Sequence, residues 1–201
     1  MELPELYLNK MKLLQQLSPL FFTLILLNCK RDAVAIPDVW VSHSDTAFHI
    51  VNGIAYYKGS LYTGHLADMF DKNDTALSMC YCKGLAQGVC RQWYPNKQLA
   101  AERYFVNGSK EGVHKGWWEN GGPRFEYHFL NDEYEGEVKE WNRAGSLYKI
   151  FHYRKGHEEG SEKLWWDDGR IRANYVVKNG ERFGLTGQKL CKNNLSDSLF
   201  K

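Results

Sequence analysis

CRQWYPNKQLAAERYFVNGSKEG (90–112) and HKGWWENGGPRFEYHFLNDEYEG (114–136) are one unit written twice. VKEWNRAGSLYKIFHYRKGHEEG (138–160) and EKLWWDDGRIRANYVVKNGERFG (162–184) write it twice more. Gly64, Gly88, Gly112, Gly136, Gly160 and Gly184 stand 24 residues apart. Gly84, Gly108, Gly156 and Gly180 form a second column upstream of them, with Asp132 at the remaining place. Trp93, Trp117, Trp141 and Trp165 form a third column downstream. Columns held in one register mean a tandem repeat, in which each unit buries surface on its neighbours and no single central core is needed.

Each unit holds two strand-like runs separated by a turn. The first turns are Asn96-Lys97, Asn120-Gly121, Ala144-Gly145 and Asp168-Gly169; the second are Lys83-Gly84, Asn107-Gly108, Lys155-Gly156 and Asn179-Gly180. Asn-Gly and Asp-Gly suit two-residue hairpin loops because both central residues need positive φ. Upstream, Asn52-Gly53 separates His49-Ile50-Val51 from Ile54-Ala55-Tyr56-Tyr57 in the same way. The fold expected is all-β: an elongated antiparallel meander of tandem 24-residue β-hairpin repeats.

Two-residue loops throughout would face Pro95 with Gln98, Arg91 with Glu102 and Lys115 with Glu126; such opposite charges stabilise a ladder by about 0.2–1 kcal/mol. The second turns would lay Tyr127, Phe151 and Tyr175 over Gly136, Gly160 and Gly184, an aromatic mend for the gap a glycine leaves in a sheet. The competing account is that these glycines take positive φ at bulges. One face then carries Tyr94, Trp118, Trp166, Leu99, Leu147, Ile171, Phe105, Phe125, Phe129, Phe151, Tyr153, Tyr175 and Val177. It is the greasier face, which would curl inward or serve a homodimer. The other carries Trp93, Trp117, Trp141 and Trp165 beside Arg91, Lys115, Lys139 and Lys163, with Arg124 and Arg172 opposite Trp117 and Trp165. Trp with Arg is a hot-spot composition and makes this stripe the candidate binding face. A structural ladder, each tryptophan packing on the next, is the other reading.

The pattern over roughly residues 52–187 resembles the bacterial MORN-repeat variant of YwqK-type antitoxin-like proteins. Trp117-Trp118, Asn120-Gly121, Tyr127 and Glu135-Gly136 carry the resemblance, while the unit from Gly64 to Gln87 is degenerate, with Met69-Phe70 for the aromatic pair. The resemblance implies a β-hairpin repeat array, and an antitoxin role as one alternative function.

Four segments follow. Residues 1–28 read as a signal peptide, with the apolar run Ser18–Leu27 of signal length and too short for a confident membrane span. Met-Lys-Leu-Leu from Met11 is the more conventional start. Leu26-Leu27-Asn28-Cys29 resembles a bacterial lipobox, which makes Cys29 the lipid attachment site and residues 29–46 a tether. Residues 47–187 are the repeat array, and 188–201 a cap or tail. The address implied is the bacterial cell envelope, anchored at the outer membrane on its periplasmic or surface side.

Chemistry is sparse. A net charge of +2 gives no basic excess for nucleic acid. Cys29, Cys80, Cys82, Cys90 and Cys191 make no zinc-type motif, and Cys80 and Cys82 fall on the face opposite Cys90, so free thiols are expected. His128 and His152 sit two strands apart, roughly 9–10 Å, too far to share a metal. No nucleophile–base set clusters. The expectation is therefore a non-enzymatic scaffold without cofactor or metal, binding a partner protein or extended ligand. The alternatives are an antitoxin-like protein and a carbohydrate- or lipid-headgroup-binding accessory to an enzyme.

Overall fold

The computed structural model describes residues 35–71 and 74–187. The expected leader 1–28, Cys29 and the tail 188–201 lie outside the described residues. Among the described residues every element is a strand. A 3-stranded sheet, β2 (Phe48–Val51), β3 (Ile54–Tyr57) and β4 (Ser60–Leu61), precedes the array. The long meander runs through β5 (Gly64–Met69), β6 (Thr75–Cys82), β8 (Gly88–Trp93), β9 (Leu99–Val106), β11 (Gly112–Trp117), β12 (Pro123–Leu130), β13 (Glu133–Trp141), β14 (Leu147–Arg154), β16 (Gly160–Trp165), β17 (Ile171–Lys178) and β18 (Glu181–Leu185). Each of these strands pairs with its sequence neighbour on that path. Short strands β7 (Leu85–Ala86), β10 (Ser109–Lys110) and β15 (His157–Glu158) close the second hairpin turns. The parallel pair lies at the first edge: β1 (Trp40–Ser42), inside the stretch read as tether, runs parallel on β5.

The second turns are the expected two-residue loops. Asn107 and Gly108 take φ 49° and 87°, and Val106 faces Ser109 across them. Asn52 and Gly53 do likewise at φ 50° and 79°. The first turns differ from expectation. In each, only the second residue is left-handed, as at Lys97 (φ 67°) and Gly121 (φ 84°). The Tyr94 carbonyl accepts from Lys97 N at 2.9 Å while Tyr94 N donates to the Gln98 carbonyl at 2.9 Å. That is a three-residue loop ending in a left-handed residue, so Tyr94, not Pro95, faces Gln98. The leading Asn has its own reason: Asn96 Oδ1 accepts from Gln98 N at 3.0 Å and Asn120 Oδ1 from Gly122 N at 3.0 Å, a side chain closing its own turn.

One residue beyond each three-residue loop the ladder slips back. Trp93 pairs Leu99 but Gln92 pairs Ala101, which leaves Ala100 bulged; Ala76, Arg124, Tyr148 and Arg172 are bulged at the equivalent places. The two slips cancel. Arg91 therefore does face Glu102, bonded at 2.8 Å, and Lys115 faces Glu126 at 3.3 Å.

The glycine column is corrected. Phe129 faces Tyr134 but Tyr127 faces Val138, so Gly136 lies in a bulge across from His128, at φ 90°. A side chain there would meet nothing nearer than His128 Cβ at 3.9 Å; the left-handed backbone, not space, demands glycine. Phe151 likewise misses Gly160, because Ile150 pairs Lys163. Of the three expected pairs only Tyr175–Gly184 forms, where a Cβ would come within 2.7 Å of the Asn174 carbonyl oxygen; Gly64, Gly88, Gly112 and Gly136 instead face Tyr81, Phe105, Phe129 and Tyr153. The aromatic mend also occurs outside the column, at Gly116, whose Cβ would lie 2.1 Å from Phe125 Cε1.

The greasy face is the interior one along the strand centres, but the bulges move Leu99, Leu147 and Ile171 off it, into pairs with Trp93, Trp141 and Trp165, and Trp166 and Ile171 are exposed. Leu66, Cys90, His114, Val138 and Glu162, 24 residues apart, are all buried along it. Val41, Phe48, Ala55, Tyr62, Leu66, Tyr81 and Ala86 close the first end; Val138, Phe151, Ala173, Tyr175 and Val177 form a second cluster. Between them, His114 packs against Phe129 with ring centres 4.6 Å apart and donates from Nε2 to the Tyr104 carbonyl at 2.9 Å. Burial pulls the His114 pKa down, so the ring is held neutral. Successive units are also stitched by polar atoms. Gln87, Glu111 and Glu135, each just before a column glycine, accept from the tip amides of Asn107, Asn131 and Lys155 at 2.8, 2.9 and 2.8 Å.

Candidate functional site

Trp93, Trp117, Trp141 and Trp165 end strands β8, β11, β13 and β16 at the first turns, where all four are half-buried. Arg124 and Arg172 do not lie opposite Trp117 and Trp165, whose partners are Pro123 and Ile171. Both arginines are the bulged residues of their strands. The bulge re-aims them, and their guanidinium groups lie over the next tryptophan along: Arg124 over Trp118 at 4.8 Å and Arg172 over Trp166 at 4.6 Å. The site is thus the first-turn edge of the array, where both tryptophan columns end.

That edge is built unit on unit. Trp118 Nε1 donates to the Trp141 carbonyl at 3.0 Å and Tyr94 Oη to the Trp117 carbonyl at 3.1 Å, each reaching one repeat ahead. Asn96 Nδ2 and Asn120 Nδ2 reach the Glu119 and Arg143 carbonyls in the same way, at 2.9 and 3.3 Å. Sequence reasoning missed Arg143, which comes from the following unit and lies 5.1 Å from the Trp118 ring centre. Its neighbourhood to Trp118 arises only when one hairpin is laid on the next.

A cleft of about 220 Å³ lies beside this stack, lined in part by Trp118, Arg124, Tyr127, Glu140 and Tyr148. Its floor is fixed. Glu140 accepts from Tyr148 Oη and from Lys149 Nζ, the latter at 2.9 Å. Burial pushes the Glu140 carboxyl up, but the bonds from Tyr148 and Lys149 outweigh it and hold the pKa below the ordinary value. Burial and the same carboxylate push the Tyr148 phenol up to about 12. Both groups therefore keep one charge state near neutrality, which suits positioning rather than proton transfer. Trp166 is 51% exposed, the most open indole of the set.

The remaining candidates stay apart. Cys80, Cys82 and Cys90 are free, with Cys90 buried and Cys80 Sγ 3.2 Å from His65 Nδ1. Burial raises the thiol pKa of both Cys80 and Cys90, the opposite of nucleophile activation. His128 and His152 each contact a glutamate at 3.4 Å. No group of three metal-type ligands occurs among the described residues.

No curated protein matches this chain. Among solved structures it is similar to a mutant of S. aureus TarM, crystallised with fondaparinux, alpha-GlcNAc-glycerol and UDP. Identity is 15%, the match covers 49% of this chain and 20% of that one, and the TM-score is 0.30. The chain thus spans about a fifth of the structure it matches. Residues 86–107 and 110–131 match the family described as MORN repeat variant, so two adjacent units of the array are repeats of that kind.

Proposed function

We propose that the protein is a non-enzymatic scaffold, exported and lipid-anchored through Cys29 at the bacterial cell envelope, that binds a partner protein or extended ligand along the first-turn edge of its array. The observation that carries this reading is the recurrence of aromatic and guanidinium groups along one edge: Trp117 and Trp118 with Arg124, then Trp165 and Trp166 with Arg172. An edge repeating by unit suits an extended partner better than a compact ligand.

The test separates binding from packing. Trp117→Ala and Trp141→Ala are compared with Phe129→Ala, which removes a buried interior ring. A binding edge predicts that both tryptophan variants lose capture of the native partner from envelope extracts, each Trp contributing on the order of 2 kcal/mol at a packed interface. It also predicts that they cost less stability than Phe129→Ala. Equal unfolding in all three, with capture intact in the folded fraction, would make the tryptophans a structural ladder.

A further inference from the structure

Most arginines of this sheet are engaged by side chains of the chain itself. Arg91, Arg154, Arg170 and Arg182 pair with Glu102, Glu159, Asp168 and Glu158, and Arg103 bonds the Gln92 amide. Arg124, Arg143 and Arg172 have no carboxylate partner among the described residues, and all three lie over indole rings. Two of them share Trp118, at 4.8 and 5.1 Å. A guanidinium stacked on an indole spends its face and keeps its N–H edge, which is shaped for bidentate bonding to a carboxylate. Stacking also fixes the side chain before the ligand arrives, which lowers the entropy cost of binding.

The two stacks are related by the repeat. Trp118 directly follows β11 and Trp166 directly follows β16, strands four steps apart in the sheet order. At ordinary strand spacing that is about 19 Å, which an extended peptide crosses in about six residues. The intervening unit has Asn142 where its neighbours have Trp118 and Trp166, and Tyr148 where they have Arg124 and Arg172; it supplies a floor instead of a third stack.

We infer that the Arg124–Trp118–Arg143 stack and the Arg172–Trp166 pair are two carboxylate sockets that receive Asp or Glu side chains of one extended acidic segment in a partner protein. The inference rests on the edge being a binding surface and names the chemistry it recognises. A protein segment fits better than a carboxylated glycan because the cleft beside Trp118 is lined by Tyr127 and Tyr148, the aromatic surround of protein hot spots.

The test titrates the full chain with a synthetic Gly-Ser peptide carrying two Asp-Glu pairs about six residues apart. The controls are the same composition with the pairs adjacent, the amidated Asn-Gln version, and polygalacturonate. The spaced acidic peptide is expected to bind best, with affinity falling as salt rises. Arg124→Gln and Arg172→Gln should each weaken it about tenfold. Arg124→Lys should restore only part, since the fork geometry is lost. Circular dichroism of each variant confirms that the sheet is intact. Equal binding of spaced and adjacent pairs, no effect of either Arg→Gln change, or binding of polygalacturonate alone would overturn the inference. If native capture depends on Trp117 while the acidic peptide does not bind, the sockets fall and the scaffold reading stands; if neither occurs, both fall.

Discussion

Glu162 is the group whose replacement has the most calculable consequence. It is fully buried in the interior column, where Leu66, Cys90 and Val138 stand in the equivalent places. Among the described residues its two carboxyl oxygens accept from one backbone amide, His152 N, at 3.2 and 3.0 Å. Around it stand Glu158 on β15, His152 and Tyr153 on β14, Tyr175 on β17 and Arg182 on β18, with Arg182 bonded to Glu158 at 2.9 Å. Burial pushes the carboxyl from its ordinary 4.5 up to about 7; the His152 amide pulls the other way, and Glu158 adds to the rise. The folded chain thus holds a proton that the unfolded chain releases near pH 4.5. Stability falls as pH climbs from about 4.5 to about 7, and above that window the ionised form carries the whole cost. The gap is worth roughly 3 kcal/mol at most, by the usual 1.36 kcal/mol per pH unit, and water reaching the site would reduce it. Glu162→Gln keeps the shape and an oxygen for His152 N but cannot ionise. Urea denaturation of both proteins from pH 4 to 8 should show the variant gaining stability steadily, with little difference near pH 4 and about 1–3 kcal/mol above pH 7. Parallel curves, with a constant offset across that range, would refute the reasoning, because every other titrating group is common to both.

Two further outcomes are expected. Gly116→Ala would put a methyl group where Phe125 Cε1 now lies 2.1 Å away, so the ring must leave its place over the strand; a loss of about 1–3 kcal/mol in chemical denaturation is expected, and a neutral result would mean the ring is not seated there. Cys29→Ser should leave the precursor unprocessed or release the protein from the membrane fraction, as read by fractionation with mass analysis of the N-terminus; wild-type partitioning and mass would end the lipid-anchor proposal.

Much of the architecture was legible because a tandem repeat prints its own register. The Asn-Gly and Lys-Gly pairs at the second turns need two left-handed residues, and Asn107 and Gly108 are both left-handed. The first turns were harder. Asn120-Gly121 is the same dipeptide, yet Asn120 stays right-handed there because its side chain caps Gly122 N at 3.0 Å. A dipeptide propensity does not distinguish a two-residue loop from a three-residue loop followed by a bulge, and the paired charges further out land identically in both.

The amino-acid sequence by itself determined the unit length, the all-β class, the antiparallel order and the sidedness of the strand centres, though not of Leu99, Leu147 and Ile171 beside the first turns, since turn chemistry and period-two alternation are local and each unit restates them. Only the tertiary structure decided which tryptophan each arginine covers. That choice depends on the bulges at Arg124 and Arg172, which rotate one side chain out of the alternation, and on Arg143 arriving from the neighbouring hairpin. It also decided that Glu162 is buried with the nearby Arg182 bonded to Glu158 instead, while Glu140 is held by Tyr148 and Lys149. The cost of a buried charge is set by what surrounds it in space, and those surroundings come from strands far apart in the chain.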